Sequence, residues 1–372
     1  MEIVLIIVII LLFYEVQYTL YAKYCFKNLS LEFKFQDEAI FEGEKTKLKQ
    51  TFANRKWMPL WWLRIQYMMS SNIEFDQAEE KKVSNLERRS EELSLLGYEK
   101  LEREIIIIGN KRGYYKLENM DIICSDLFVT AKFVKKHCVN EGLYVFPKLL
   151  SNFEFDMKFK KLLGDVITRR HLIHDPYERR GIRDYVTSDS LKDVNWTASA
   201  RSNDLKVNVY NYTASSEILI FLSCQKENNW VADNVVEEGI SIAATIYDEF
   251  SKQGIKVGLI SDCIDSEANS NIKVEAGCEQ NHGFLFNEGL ARIVISECND
   301  NNISKYINDE AIKNNKESLW IVISNATRHG MRETMENIRE NNFDFKWIIP
   351  KGANAEIELD NLNEVLIWDV SL

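Results

Sequence analysis

The chain has 372 residues, 45% of them hydrophobic and 28% charged, with 15 glycines and 4 prolines. That is the composition of a folded protein of two or three domains, and it excludes fibres, disulfide-stapled mini-proteins and long disordered tracts. The 46 Lys and Arg side chains are outnumbered by 57 Asp and Glu, for a net charge of −11, which argues against a general nucleic-acid binder, since such a protein needs basic side chains to displace counterions from phosphate.

The N-terminus opens on an unbroken apolar run from Ile3 to Phe13, extended by Tyr14, Val16, Tyr18, Leu20, Tyr21 and Ala22 and interrupted only by Glu15 and Gln17. At 1.5 Å per residue, about 20 such residues cross the ~30 Å hydrocarbon core of a bilayer. The run begins at Glu2 instead of a basic residue and ends in tyrosines instead of small residues, so it reads as a retained anchor over residues 1–24, not a cleaved signal. Lys23 and Lys27 follow the run and only Glu2 precedes it. By the positive-inside rule this makes a single-pass cell-membrane protein that touches lipid through this helix, with the bulk of the chain cytoplasmic.

Residues 29–150 read as an antiparallel β-sandwich. Leu29, Leu31, Phe33 and Phe35 alternate with Ser30, Glu32, Lys34 and Gln36, residues 45–50 alternate in the same way, and Trp61, Leu63, Ile65 and Tyr67 share one strand face. Glu42-Gly43-Glu44 is the expected turn, and Ile105–Ile108, Tyr114–Leu117, Ile122–Ile123, Leu127–Val129 and Leu143–Phe146 are the further expected strands. Trp57, Trp61 and Trp62 are expected in the core, and the charged stretch Glu79 to Arg89 as a solvated loop or short helix.

Residues 216–372 change rhythm. Ile218–Ser223, Val257–Ser261, Leu319–Ser324, Phe345–Ile349 and Val365–Val370 are short apolar runs suited to a buried parallel sheet, and residues 231–252, 284–295, 303–314 and 331–341 have helical length and spacing. The pattern is a doubly wound α/β domain. Residues 217–372 carry 27 acidic and 13 basic side chains, so the acidity of the chain belongs to this part, and the mildly basic remainder suits an anionic inner leaflet.

Between the two, residues 151–215 form a connector containing Gly181-Ile182-Arg183-Asp184-Tyr185, Ser188-Asp189, Lys192 and Asn195-Trp196-Thr197-Ala198-Ser199-Ala200-Arg201. It combines ion-pairing groups, one large anchor in Trp196 and small hydroxyl residues, and each Arg fork can take a carboxylate or a carbonyl. The order of Gly181, Arg183, Tyr185, Asp189, Trp196, Ser199 and Arg201 resembles the signature of the membrane-anchored family known as domain of unknown function 58. Ser188 stands where that family usually has Gly, and Lys192 where it usually has Arg. Arg112-Gly113-Tyr114-Tyr115, Ser125-Asp126-Leu127-Phe128 and Val145-Phe146-Pro147 also look like its upstream landmarks. The resemblance implies N-terminal membrane helices, a β region, and a C-terminal domain similar to von Willebrand factor type A. It also implies a partner, an AAA+ ATPase of the MoxR type, and a part in assembling or maturing other proteins.

A type A domain that holds Mg²⁺ carries Asp-x-Ser-x-Ser after its first strand, supplying hard oxygens. Here the segment reads Ser223-Cys224-Gln225-Lys226-Glu227, and Asn325 stands where a further Asp would help. No metal and no other cofactor is therefore expected, and Ser223, Gln225, Ser261, Asp262, Ser324 and Asn325 are read as a protein-docking edge at the carboxyl ends of the strands. His171 and His174 with Asp175 and Glu178 have a weak metal-ligand spacing that Pro176 interrupts. Neither a phosphate-binding G-x-x-x-x-G-K-[ST] loop nor a G-x-S-x-G elbow occurs. No catalytic residue is assigned, and the alternative is a metal-dependent hydrolase at the domain junction using Asp184, Asp189, Asp193, His171 or His174. Seven cysteines in no close spacing read as reduced, mostly buried thiols.

Overall fold

The computed structural model describes residues 2–76, 86–150, 179–186, 192, 194–202, 204–210, 217–224, 233–295, 303–313, 318–326, 329–352 and 364–370. The chain has an N-terminal apolar helix and a β-rich, multi-sheet body with α/β character. It divides into two compact units, Met1–Lys148 with Leu290–Arg292, and Leu149–Gly289 with Ile293–Leu372.

The first unit begins with helix α1, Glu2–Tyr24. Nine strands among the described residues follow: β1 Leu29–Phe35, β2 Ala39–Phe41, β3 Lys45–Asn54, β4 Leu60–Ser70, β5 Ile73–Phe75, β6 Leu86–Leu95, β7 Lys100–Gly109, β8 Gly113–Ser125 and β9 Lys132–Phe146. One antiparallel sheet has the order β1-β3-β7-β5 and a second the order β2-β9-β8-β4-β6, in which only the β2–β9 pair is parallel. Period-two alternation buries Leu31, Phe33 and Phe35 of β1 while Glu32 and Lys34 face water. The same arithmetic on β4 buries Leu63, Ile65 and Tyr67. The Phe33 ring lies 5.8 Å from Phe52 in its own sheet and 5.9 Å from Tyr67 in the other, so the two sheets contribute to one core.

Helix α1 is exposed from Ile3 to Phe13, yet Gln17, Tyr21 and, just beyond it, Cys25 are buried against the strands. Positions 14, 17, 18, 21 and 25 lie on one face at helical spacing. Gln17 Nε2 donates to Asp126 Oδ2 at 2.9 Å, and the Tyr21 hydroxyl donates to the Pro59 carbonyl at 3.1 Å.

Three expectations for this unit are corrected. Trp57, Trp61 and Trp62 are exposed, not core; the pairing of β4 with β6 shifts register between Leu60 and Leu63, and this bulge buries both leucines while leaving the two intervening tryptophans outside. Leu127–Val129 is a turn joining β8 to β9, closed by Val129 N to Asp126 O at 3.1 Å, and not a strand. Of the charged stretch Glu79 to Arg89, Leu86 to Arg89 open strand β6, paired with Ser70 to Tyr67, and residues 77–85 lie outside the described residues.

In the second unit, β10 Arg179–Asp184 pairs antiparallel with β11 Lys206–Tyr210, and the short helix α2, Trp196–Ser202, lies between them in sequence. The remaining elements are β12 Glu217–Leu222, α3 Asp233–Lys252, β13 Lys256–Asp265, β14 Asn271–Gly277, α4 Gln280–Arg292 (its last three residues counted with the first unit), β15 Ile293–Val294, α5 Ile303–Ile312, β16 Leu319–Ile323, α6 His329–Glu340, β17 Phe345–Gly352 and β18 Val365–Val370. The sheet order is β14-β13-β12-β16-β17-β18, parallel from β13 to β18, with β14 antiparallel on one edge and β15 pairing antiparallel with β13. Strands buried on both faces need apolar side chains at every position, and all five residues of β16 are buried. Trp320 and Trp347 are among its largest wholly buried side chains.

Candidate docking edge and connector

Chain order reverses between β12 and β16, so the carboxyl ends of these two neighbours form the crevice where open α/β sheets bind ligands. Ser223 continues β12 by donating its N–H to the Ile323 carbonyl at 2.9 Å. Its hydroxyl donates to Asp262 Oδ2 at 2.8 Å, and the Cys224 N–H donates to Asp262 Oδ1 at 3.1 Å. Asp262 is wholly buried. Removal from water outweighs these donors and pushes its pKa up to about 6. On the neighbouring strand end Ser324 is buried and accepts the Ala326 N–H at 3.1 Å. Asn325 is buried with neither its Oδ1 nor its Nδ2 hydrogen-bonded. The fold thus joins Ser223 to Asp262 directly and puts Ser324 and Asn325 at the next strand end, whereas Gln225 lies outside the described residues.

Sequence reading missed the thiols. Cys224, Asp262 and Cys263, all buried, each present one ligand atom within 4.8 Å of the others. Two thiols and one carboxylate do not suit Mg²⁺, which requires near-octahedral oxygen ligands. A cysteine within an apolar run resembles a small core residue, so only the register of β12 against β13 could have revealed the cluster.

In the connector, Gly181 and Arg183 lie on β10, Tyr185 just after it, and Trp196, Ser199 and Arg201 on α2. Ser199 is the pivot: its hydroxyl donates to the Asn195 carbonyl at 2.8 Å and accepts the Lys206 N–H at 2.8 Å, fastening α2 to β11. Asn195, named in the connector motif but given no role there, accepts the Ala198 N–H at 3.0 Å as a helix cap and donates to Asn208 Oδ1 at 2.7 Å. Trp196, expected as an anchor, is 66% exposed, and Arg201 is exposed as well. Polar caps rather than aromatic burial hold the segment. Arg183 Nη1 donates to the Asp184 carbonyl at 3.0 Å, and Asp184 pairs with Lys206. Of the residues named for a hydrolytic site, Asp189, Asp193, His171 and His174, with Asp175 and Glu178, lie outside the described residues.

No protein-family model matches the chain, and a comparison with curated proteins finds no match. Among solved structures, a Salmonella alpha-2-macroglobulin variant aligns at 11% identity with a TM-score of 0.21, covering 33% of this chain and 7% of that one. Native E. coli alpha-2-macroglobulin aligns at 12% identity with a TM-score of 0.21, covering 32% and 7%. At these scores the likeness carries neither fold nor function across.

Proposed function

We propose that the protein is a membrane-anchored adaptor of the domain of unknown function 58 type. Its β-sandwich is held near the membrane by α1, and its von Willebrand factor type A-like domain docks a MoxR-type AAA+ ATPase in the cytoplasm during assembly or maturation of other proteins. The carrying observation is Asn325, a buried amide with an unsatisfied donor and acceptor at the switch point of the sheet. Such a group costs stability in the free protein, and a partner that opened this buried strand end would find both its donor and its acceptor unsatisfied. The burial of Gln17, Tyr21 and Cys25 supports a helix that stays attached, because removing it would strip the β unit of core residues.

The test is affinity capture of the tagged full-length chain from detergent-solubilised membranes, with and without ATP, co-purifying chains being identified by mass spectrometry. Nucleotide-dependent retention of an AAA+ ATPase, lost in Asn325→Ala, is the expected result. A folded bait that retains none overturns the reading.

A further inference from the structure

The turn between β8 and β9 presents Leu127, Phe128 and Val129, all exposed, with Val129 at φ +59, a conformation that β-branched residues rarely adopt. It lies against the apolar helix: the Phe128 ring is 6.4 Å from Phe13 and 6.5 Å from Tyr14, and the Thr130 hydroxyl is 3.1 Å from that of Tyr14. Phe13 precedes Cys25, where the chain leaves the helix, by roughly 18 Å along the axis at 1.5 Å per residue. A bilayer crossed by α1 therefore meets this turn below its surface.

The turn is built for that depth. Its carboxylate, Asp126, is wholly buried and accepts hydrogen bonds from Gln17 Nε2 at 2.9 Å, the Thr130 hydroxyl at 2.6 Å and the Ala131 N–H at 2.9 Å. The apolar side chains face outward and the charged one inward, the reverse of a turn made for water. Beside it a groove of about 470 Å³ is lined by Trp61, Trp62, Val129, Arg64, Arg103 and Lys132. Glu92 pairs with Arg64 and is the one acidic residue in the lining, which leaves an excess of positive charge next to the two exposed tryptophans. Tryptophan is enriched at the headgroup level of membranes, and basic side chains attract anionic lipid there.

We infer that the Leu127–Val129 turn inserts into the bilayer beside α1 and that the adjacent Trp61/Trp62 groove takes the phosphate headgroup of an anionic phospholipid through Arg103 and Lys132. The inference rests on the membrane-anchor reading of α1. It makes the β unit a membrane-seated body with a fixed tilt, not a bead on a tether.

The experiment uses the full chain with Cys138, Cys278 and Cys298 replaced by serine, reconstituted in phosphatidylcholine–phosphatidylglycerol vesicles. Spin labels are placed singly at Phe128→Cys, Leu127→Cys, Leu5→Cys and the exposed Lys49→Cys. Labels at positions 5, 127 and 128 should be relaxed by oxygen in preference to a water-soluble nickel chelate, and the label at position 49 should show the opposite. A lipid signal at position 5 with water at 127 and 128 overturns the inserted turn and leaves the anchor standing; water at all four overturns both.

Native mass spectrometry of the detergent-extracted chain tests the groove. Arg103→Gln and Lys132→Gln should each lower retained phosphatidylglycerol about fivefold, the worth of one basic side chain at an anionic surface, and millimolar inorganic phosphate should not displace the lipid. Retention unchanged in the double variant, or displacement by phosphate alone, overturns the headgroup assignment.

Discussion

Gln17 of the apolar helix and Asp126 of the β8–β9 turn, 109 residues apart in sequence, share a buried hydrogen bond of 2.9 Å. Read locally, Gln17 is a flaw in a hydrophobic segment; in the fold it joins the helix to the strands. Asp126→Ala strands Gln17 Nε2 and the Ala131 N–H without an acceptor and should destabilise the protein by about 2–3 kcal/mol, whereas Gln17→Leu, which leaves Asp126 two other donors, should cost about 1 kcal/mol. Denaturant unfolding in detergent measures both. The double variant should fall short of the sum, because the two residues share one network.

Trp196→Ala should change stability by no more than about 0.5 kcal/mol, as expected for an exposed side chain. Ser199→Ala, which breaks the fastening of α2 to β11, should cost about 1 kcal/mol or more. Thermal melts of the two variants side by side would rank them, and a larger loss for Trp196→Ala would contradict the polar-cap account of the connector.

Asp262 sets a pH dependence whose direction follows from its raised pKa. The folded protein binds this proton up to about pH 6, the unfolded chain only up to about pH 4, so the folded state holds more protons in between and stability falls as pH rises across that window. The loss is on the order of 3 kcal/mol, at 1.36 kcal/mol per unit. Asp262→Asn should flatten the dependence in unfolding titrations between pH 4 and 6.

Asn325→Ala removes an unsatisfied buried amide and should leave stability unchanged or raise it by about 1 kcal/mol. If the proposed docking of an AAA+ ATPase holds, its capture should disappear in the same variant. Stability gained together with binding lost is the mark of a site held at a cost to the fold.

Much of the architecture is legible as periodicity. The alternation over Leu29–Phe35 is β1 with its inward face, and Val365–Val370 is β18 residue for residue. What eluded local reading depends on pairing. A bulge opposite β6 turns Trp61 and Trp62 outward, although β-propensity and alternation favour burying Trp61. β14, Asn271–Gly277, interleaves polar residues on an antiparallel edge and lacks the apolar run of its parallel neighbours. At the candidate edge the serines and Asp262 could be placed by the switch-point rule, but the hydrogen bond from Ser223, the nearby thiols and the unsatisfied state of Asn325 depend on register and burial.

The burial of Tyr21 and Cys25 in the β core has a consequence for synthesis. The helix is made before the strands, while the Asp126 that satisfies Gln17 and the strand that joins β2 to β8, Lys132–Phe146, come more than 100 residues later. Until they arrive, the helix holds an amide without its Asp126 acceptor and the core lacks Leu143 and Val145. The core that Tyr21 and Cys25 share with Leu143 and Val145 is therefore completed only when the last of these strands pairs, so the helix waits on the strands to finish folding.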